Sequence, residues 1–450
     1  MFPNPQAALP LISNPSIGYY EELSKNLVTA AKGFKAHDND AIRSVVEKWV
    51  KRLARGKTFR KEIKRFPRVI DRNVSQVEDF AIRKLVEGSS SPRLNDAKFV
   101  VASAHGFASW PKLSKHVSAL SQETSAIARF EAAADAIVSG DLKTLKRLLR
   151  EDPKLVLMRS TREHNSTLLH YVSANGVEGY RQKTPKNAVQ VAKSLLDAGA
   201  EVDAEANVYG GGATTLGLTA TSVHPFRAGV QNPLLRLLLD YGAEIDHSDS
   251  AGNEQGAVLG CLANGRREAA LYLAECGAKL NFEAAAGIGR VDILENAFTR
   301  AGKPKRAIKR REIDSAFLYA CAWGQKSVVE FFLQKGISPN VHRGDGQTAL
   351  HWAAIGGQLE IVKLLLKLKP PLESRNIYGG TVLGQTLWSA AHGGDPDLYS
   401  EIIETLIAAG AKVRERHVPV NEKIDELLRS YGSEPEPSWY WFGEKPRTRV

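Results

Sequence analysis

The segment Gly344–Leu366, GDGQTALHWAAIGGQLEIVKLLL, constrains the fold more than any other part of the chain. A turn opens it, and Thr348 is placed to cap a short helix through its hydroxyl. Ala349, Ala353 and Ala354 are small enough for close helix packing, and Gly357 can take the left-handed conformation that ends that helix. A second helix follows, with Ile361, Val362, Leu364 and Leu365 on its buried face. The same frame returns along the chain, marked by Gly199, Gly242, Gly277, Gly336 and Gly410 after each second helix, with Lys369 in that place for the Thr348 unit. Gly336 and Lys369 set a period of about 33 residues, within the range of stacked repeat architectures, and the other intervals are longer. The longest, Gly277 to Gly336, splits at Phe282–Phe298; extra residues fall near Tyr180–Asn187, and Phe130–Leu149 opens the array. A repeat of this kind cannot bury its own apolar face alone, so stacked units in a solenoid are expected.

The Thr-x-Leu-His element at Thr348–His351, the Gly-bounded turn and the Ile-Val-x-Leu-Leu helix resemble the ankyrin repeat. The resemblance implies an all-α ankyrin-repeat solenoid, helix-turn-helix units with short β-hairpin or loop fingers, preceded by a small helical domain. No unit has Pro after the capping Thr; Leu168, Thr215, Ala349 and Val382 stand there, which removes only a preorganising residue. Asn207-Val208-Tyr209-Gly210-Gly211 matches Asn376-Ile377-Tyr378-Gly379-Gly380. Without a following Lys-Ser/Thr or a leading dinucleotide-type strand, these glycines point to hairpin tips and not to a phosphate loop.

Ahead of the array, Leu23, Leu27, Ala31 and Phe34, then Ile42, Val45, Val46, Trp49, Val50 and Leu53, form two stripes of helical period. In LNDAKFVVASAHGFASWPKLSKHV, Gly106 ends one helix, and Ser109 with Pro111 begins another. This stretch resembles a region that precedes the repeats in a widespread group of bacterial ankyrin-repeat proteins of unassigned function. Together the resemblances cover about residues 20–50, 94–120 and 128–413. The expected organisation is a flexible tail over 1–18, a basic helical domain over 19–122, about eight irregular repeats over 127–415, and a capping helix with an aromatic tail over 416–450. Helix 421–432 covers the open end of the array, and Trp439–Phe442 is expected to dock on the last repeat.

The chain has 450 residues, 43% apolar and 25% charged, which excludes collagen-like and wholly disordered readings. There is no apolar run of membrane-spanning length and no signal-peptide pattern at the start. Three cysteines, Cys261, Cys276 and Cys321, fit a reducing, cytoplasmic setting and small buried side chains. Of the net charge of +11, residues 1–125 carry +9, all of it supplied by Lys48–Arg72, which holds 11 basic and 2 acidic residues. That run and the shorter Arg300–Arg311 run read as solvated surfaces; in the alternative, Trp49, Phe59 and Phe66 interleave with the cations to follow a phosphate backbone.

The sequence carries no H-E-x-x-H, G-x-S-x-G, P-loop or paired Cys-His spacing. His351 and His170 fall in the repeat's own Thr-x-Leu-His, where the imidazole serves hydrogen bonding between turns. The expectation is a non-enzymatic protein-interaction scaffold, a monomer without cofactor or metal, whose partner is another protein. A nucleic-acid-associated adaptor using the basic N-terminal domain is the alternative, and an enzyme with a site in that domain the weaker one. Tyr319 and Trp352, one repeat period apart on successive first helices, are expected side by side and half-exposed on the concave face, with Trp323 and Trp388 close by. His342, Arg343 and Asp345 at the tips and Tyr378 on the next unit complete the expected partner-binding surface.

Overall fold

The computed structural model describes residues 7–34, 40–53, 69–88, 91–174, 176–247, 256–299, 303–305, 308–392 and 395–436. Most of the Lys48–Arg72 run, part of Arg300–Arg311 and all of Trp439–Phe442 lie outside them. The chain divides into two compact units, Met1–Ala278 and Lys279–Val450.

In the first unit the two apolar stripes form α1 (Ile17–Lys32) and α2 (Asp40–Leu53). They bury Tyr20, Leu23 and Leu27 from α1 and Ile42, Val46, Trp49 and Leu53 from α2, because side chains three or four apart share a helix face. Helices α3 (Val69–Ile82), α4 (Leu94–Ala104) and α5 (Trp110–Leu120) complete this core. Asp96 accepts the Arg93 N–H at 3.2 Å at the start of α4. Ser109 stands at the N-cap of α5 with Pro111 in its first turn, as the sequence indicates, but its side chain makes no capping bond there. Within the stretch expected as a tail, Ala8, Leu9 and Pro10 are buried; the Leu9 N–H donates to the Ala104 carbonyl at 2.8 Å, and its own carbonyl lies 3.1 Å from His105 Nδ1.

The repeats begin with α6 (Ala126–Ser139) and α7 (Leu142–Glu151), capped by Ser125 and Asp141 through the N–H groups of Ala128 and Thr144. A 3-10 turn, Leu168–Val172, takes the first-helix place in the next pair, followed by α8 (Ala188–Asp197). Then come α9 (Thr215–Thr221) with α10 (Gln231–Asp240), and α11 (Ala257–Ala263) with α12 (Arg267–Glu275).

The second unit repeats the design with α13 (Phe282–Ile288) and α14 (Val291–Glu295), then α15 (Arg310–Ala322) and α16 (Lys326–Gln334). It continues with α17 (Ala349–Ile355) and α18 (Leu359–Leu366), and with α19 (Val382–Ala391) and α20 (Pro396–Ala408). One core runs through it, including Phe317, Phe332, Ile361, Leu365, Ile402 and Leu406. It ends against Ile424 and Leu428 of α21 (Glu422–Ser430), whose N-cap Asn421 accepts the Ile424 N–H at 2.8 Å. Strands β1 (Arg416–His417) and β2 (Glu434–Pro435) pair in parallel around that helix. The fingers are minimal hairpins, closed by single bridges such as His342 with Thr348 and Ala206 with Ala213.

Candidate functional site

The repeat histidines hold neighbouring units together. Thr167 and Thr348 donate their backbone N–H to Nδ1 of His170 and His351, at 3.1 and 3.3 Å. Each Nε2 then faces a carbonyl of the following unit, Ala213 at 3.2 Å and Gly380 at 3.4 Å. Accepting at Nδ1 and donating at Nε2 fixes the neutral ring. Burial accordingly drives the His170 pKa down to about 4 and lowers that of His351.

Tyr319 on α15 and Trp352 on α17 stand side by side, ring centroids 5.5 Å apart at 65°. The Arg343 guanidinium lies 5.5 Å from the Trp352 ring centroid. Tyr319 is only 7% exposed, which corrects the expectation of a half-exposed ring. With Trp352 against its ring and Arg343 close enough to act on its hydroxyl, it is packed between units, and burial raises its pKa against the opposing pull of Arg343. Trp352 keeps partial exposure, and so does Trp323 at the C-cap of α15, whose N–H donates to the Tyr319 carbonyl.

The fingers ahead of α17 and α19 are joined to each other. Asp345 Oδ1 accepts the Gln347 N–H at 3.0 Å, and the Asp345 carbonyl accepts the N–H of Ile377 in the next finger at 2.9 Å. The contact requires Gly346: its φ is +76°, and a Cβ there would lie 2.9 Å from the Arg375 carbonyl oxygen. His342 is exposed, its Nδ1 3.0 Å from the Arg343 carbonyl oxygen. Asn376 builds the following tip, its Oδ1 accepting the N–H groups of Tyr378 at 3.0 Å and Gly380 at 2.9 Å. The result is an ordered tip that leaves Tyr378 80% and Ile377 67% exposed.

Beyond that tip a cavity of about 750 Å³ opens between α19 and the C-terminal cap. Leu383, Leu387 and Trp388 of α19 line it on one side, Val413, Val418 and Leu428 on the other. Trp388 is 45% exposed and stacks on His392 at 4.1 Å. Lys412, Arg414 and Arg416 border the cavity, Arg414 donating to the Gly379 carbonyl at 3.4 Å. His417 ties β1 to the cap, with Ser433 Oγ 3.0 Å from Nδ1 and Asp425 Oδ1 3.2 Å from Nε2. The structure therefore separates the eight expected residues. Tyr319, Arg343 and Trp352 form one cluster with Trp323 beside it, Tyr378 and Trp388 line the cavity, and His342 and Asp345 belong to the fingers. The three cations and Ile377 were not expected from the sequence. The alternation in Lys412-Val413-Arg414-Glu415-Arg416 was the available signal.

The densest group of buried titratable side chains lies in the first unit. Arg162 pairs with Glu131 at 2.7 Å and Glu178 at 2.9 Å, and Arg181 with Glu131 and Glu178 at 2.9 Å and Asp135 at 2.8 Å. Burial alone would raise both glutamates, but the two guanidinium groups outweigh it. They hold the Glu131 carboxyl down at about 2 and that of Glu178 well below its ordinary range. Arg162 also packs on Phe107 and Arg181 on Tyr171 and Tyr180, so both cations are fully engaged in structure. Cys261 and Cys321 are buried as expected, with thiols pushed up by burial, to about 12 at Cys261; Cys276 is exposed, a correction. Among the described residues no group of three His, Cys, Asp or Glu is placed to hold a metal ion.

Helix pairs joined by bonded fingers, with a histidine held by its own Thr and reaching a carbonyl of the next unit, define a helical repeat protein. Residues 285–417 match the ankyrin-repeat family model as three copies, and the chain carries ankyrin repeats. The crystal structure of the ankyrin repeat domain of Bcl-3, a member of the IkappaB protein family, is similar over 61% of this chain and 97% of that one. The identity is 19% and the TM-score 0.28. None of the described helices is long and apolar enough to cross a membrane.

Proposed function

We propose that this protein is a non-enzymatic scaffold whose repeats, over 127–415, hold another protein, with residues 19–122 as a separate helical domain. The observation that carries the reading is the exposure of Tyr378 and Trp388 on an ordered tip and helix of the same repeat. Large aromatic side chains held out in water by a rigid frame contribute to binding at low entropic cost. Trp352 with Arg343, flanked by Trp323 and His342, offers a second contact one repeat earlier. The free cysteines, with Cys276 exposed, support a reducing compartment, and we place the protein in the cytoplasm as a monomer.

The test is capture from the native cell with the full chain and with the Tyr378→Ala, Trp388→Ala double variant. Proteins retained by the first and lost by the second, at unchanged thermal midpoint, support the scaffold. An identical captured set removes these residues from the binding surface.

A further inference from the structure

The cavity beside α19 has two chemical sides. Lys412, Arg414 and Arg416 all border it, from the segment that leads into β1 and bends at Glu415. All three are exposed, and none forms an ion pair among the described residues. These three cations outnumber the Glu436 carboxylate in the lining and present a field that an incoming anion can balance. Leu383, Leu387 and Trp388 give the same cavity an apolar wall, with Tyr378 also in its lining.

We infer that this groove binds an extended acidic peptide segment of a partner protein, with aromatic or aliphatic side chains alternating with Asp or Glu. An extended chain sends successive side chains to opposite faces, which lets acids meet the three cations while apolar residues meet α19. Charge decides between occupants. The chain's own residues 437–450 start directly after Glu436 at the groove and contain Trp439–Phe442, but they carry Lys445, Arg447 and Arg449 against Glu444, the wrong sign for these cations. A nucleic-acid strand carries a charge at every nucleotide, whereas the lining sets three cations beside the aliphatic side chains of Leu383 and Leu387, which alternating acidic and apolar side chains fit.

The inference rests on the repeats being a protein-binding scaffold and adds the chemistry of one contact. Its test uses the full chain and a fluorescent, end-capped nonapeptide of alternating Glu with Phe and Leu, read by anisotropy. Controls are the same peptide with Lys for Glu and a dodecamer of deoxythymidine. Saturable binding of the acidic peptide, weakened about tenfold or more by Arg414→Glu with Arg416→Glu and by Trp388→Ala, and retained by Arg414→Lys, supports the inference. Binding of the Lys peptide with equal affinity, or indifference to the charge reversals, overturns it. Tighter binding of the oligonucleotide overturns it in favour of nucleic acid. Binding that emerges only in a chain ending at Glu436 shows that the tail is the occupant and overturns it too. Loss of native capture in Trp388→Ala without any acidic-peptide binding sinks this chemistry while leaving the scaffold standing.

Discussion

Arg162 and Glu178 meet at 2.9 Å with side chains only 2% and 0% exposed, the second on the insertion that lengthens its repeat. Glu178 sits there at a φ of +41°, a conformation the surrounding pairs must hold in place. Glu178→Gln leaves the two guanidinium groups facing only Glu131 and the half-exposed Asp135. It should cost about 3–5 kcal/mol, read as a lowered denaturant midpoint of the first unit. Arg162→Met with Glu178→Leu removes both charges and should recover much of that loss. A double variant as unstable as the single one would show that the insertion is held by something other than charge compensation.

The first unit should weaken as the pH falls. Burial depresses His105 to about 3, His116 to about 4 and His170 to about 4, with Arg162 opposing the charge on the first two and Arg159 on the third. Above the ordinary histidine value near 6.5 all three are neutral, folded or unfolded, and contribute no slope. Between 6.5 and about 4 the unfolded chain takes up protons that the folded chain refuses, so stability falls by up to about 1.4 kcal/mol per pH unit for each group. Glu131 and Glu178, depressed by their arginines in spite of burial, extend the loss below about 4.5. Urea midpoints taken from pH 7.5 to 4.5 should show this decline, and His116→Gln should flatten it by one group's share. A flat profile in the unchanged chain would mean that these rings are protonated when folded.

How much of this was legible in the sequence depends on the range of the interaction. The helix pairs and the roles of His170 and His351 follow from residues three apart in one motif, so the repeat text displays them. The cluster of Glu131, Arg162, Glu178 and Arg181 is assembled from three separate elements, and the insertion near Tyr180 read only as extra length. Tyr319 shows the same limit. The repeat period places it beside Trp352, but nothing local reveals that the tip residue Arg343 reaches back over that pair. The three cations were in plain view, yet five alternating residues after the last Gly-Ala look like any solvated connector until α21 and β2 fold over and turn them into the border of a cavity.

The fingers of the second unit should depend on Gly346. Gly346→Ala forces a Cβ against the Arg375 carbonyl at a φ that alanine resists, so the two tips must part and the Ile377 N–H loses the Asp345 carbonyl. A cost of about 1–3 kcal/mol is expected, with faster amide exchange at Ile377 and Tyr378 while Val328 stays protected. Unchanged exchange at Ile377 would show that the fingers are independent of each other.

Leu365 is 1% exposed in the core that joins α18 to its neighbours. Leu365→Asp buries a charge there and should cost about 3–5 kcal/mol. Because each repeat contacts only adjacent ones, protection should be lost first around Ala353 and Ile403 and last around Leu195. Simultaneous loss everywhere would count against repeat-by-repeat stability.

Tyr319 and Trp352 should separate stability from binding. Tyr319 is packed beneath its neighbours, so Tyr319→Ala opens a cavity and should cost about 3–4 kcal/mol in the second unit. Trp352 remains partly open to solvent, and Trp352→Ala should cost less while removing the platform on which Arg343 rests. Arg343→Ala isolates that contact, worth about 0.5–1 kcal/mol at an exposed site. If this cluster holds the partner, Arg343→Ala should weaken capture at nearly unchanged melting and Trp352→Ala should weaken it with a smaller loss of melting than Tyr319→Ala. Equal destabilisation by the tyrosine and tryptophan variants, with capture intact in whatever stays folded, would assign the whole cluster to packing between repeats and leave Tyr378 and Trp388 as the binding surface.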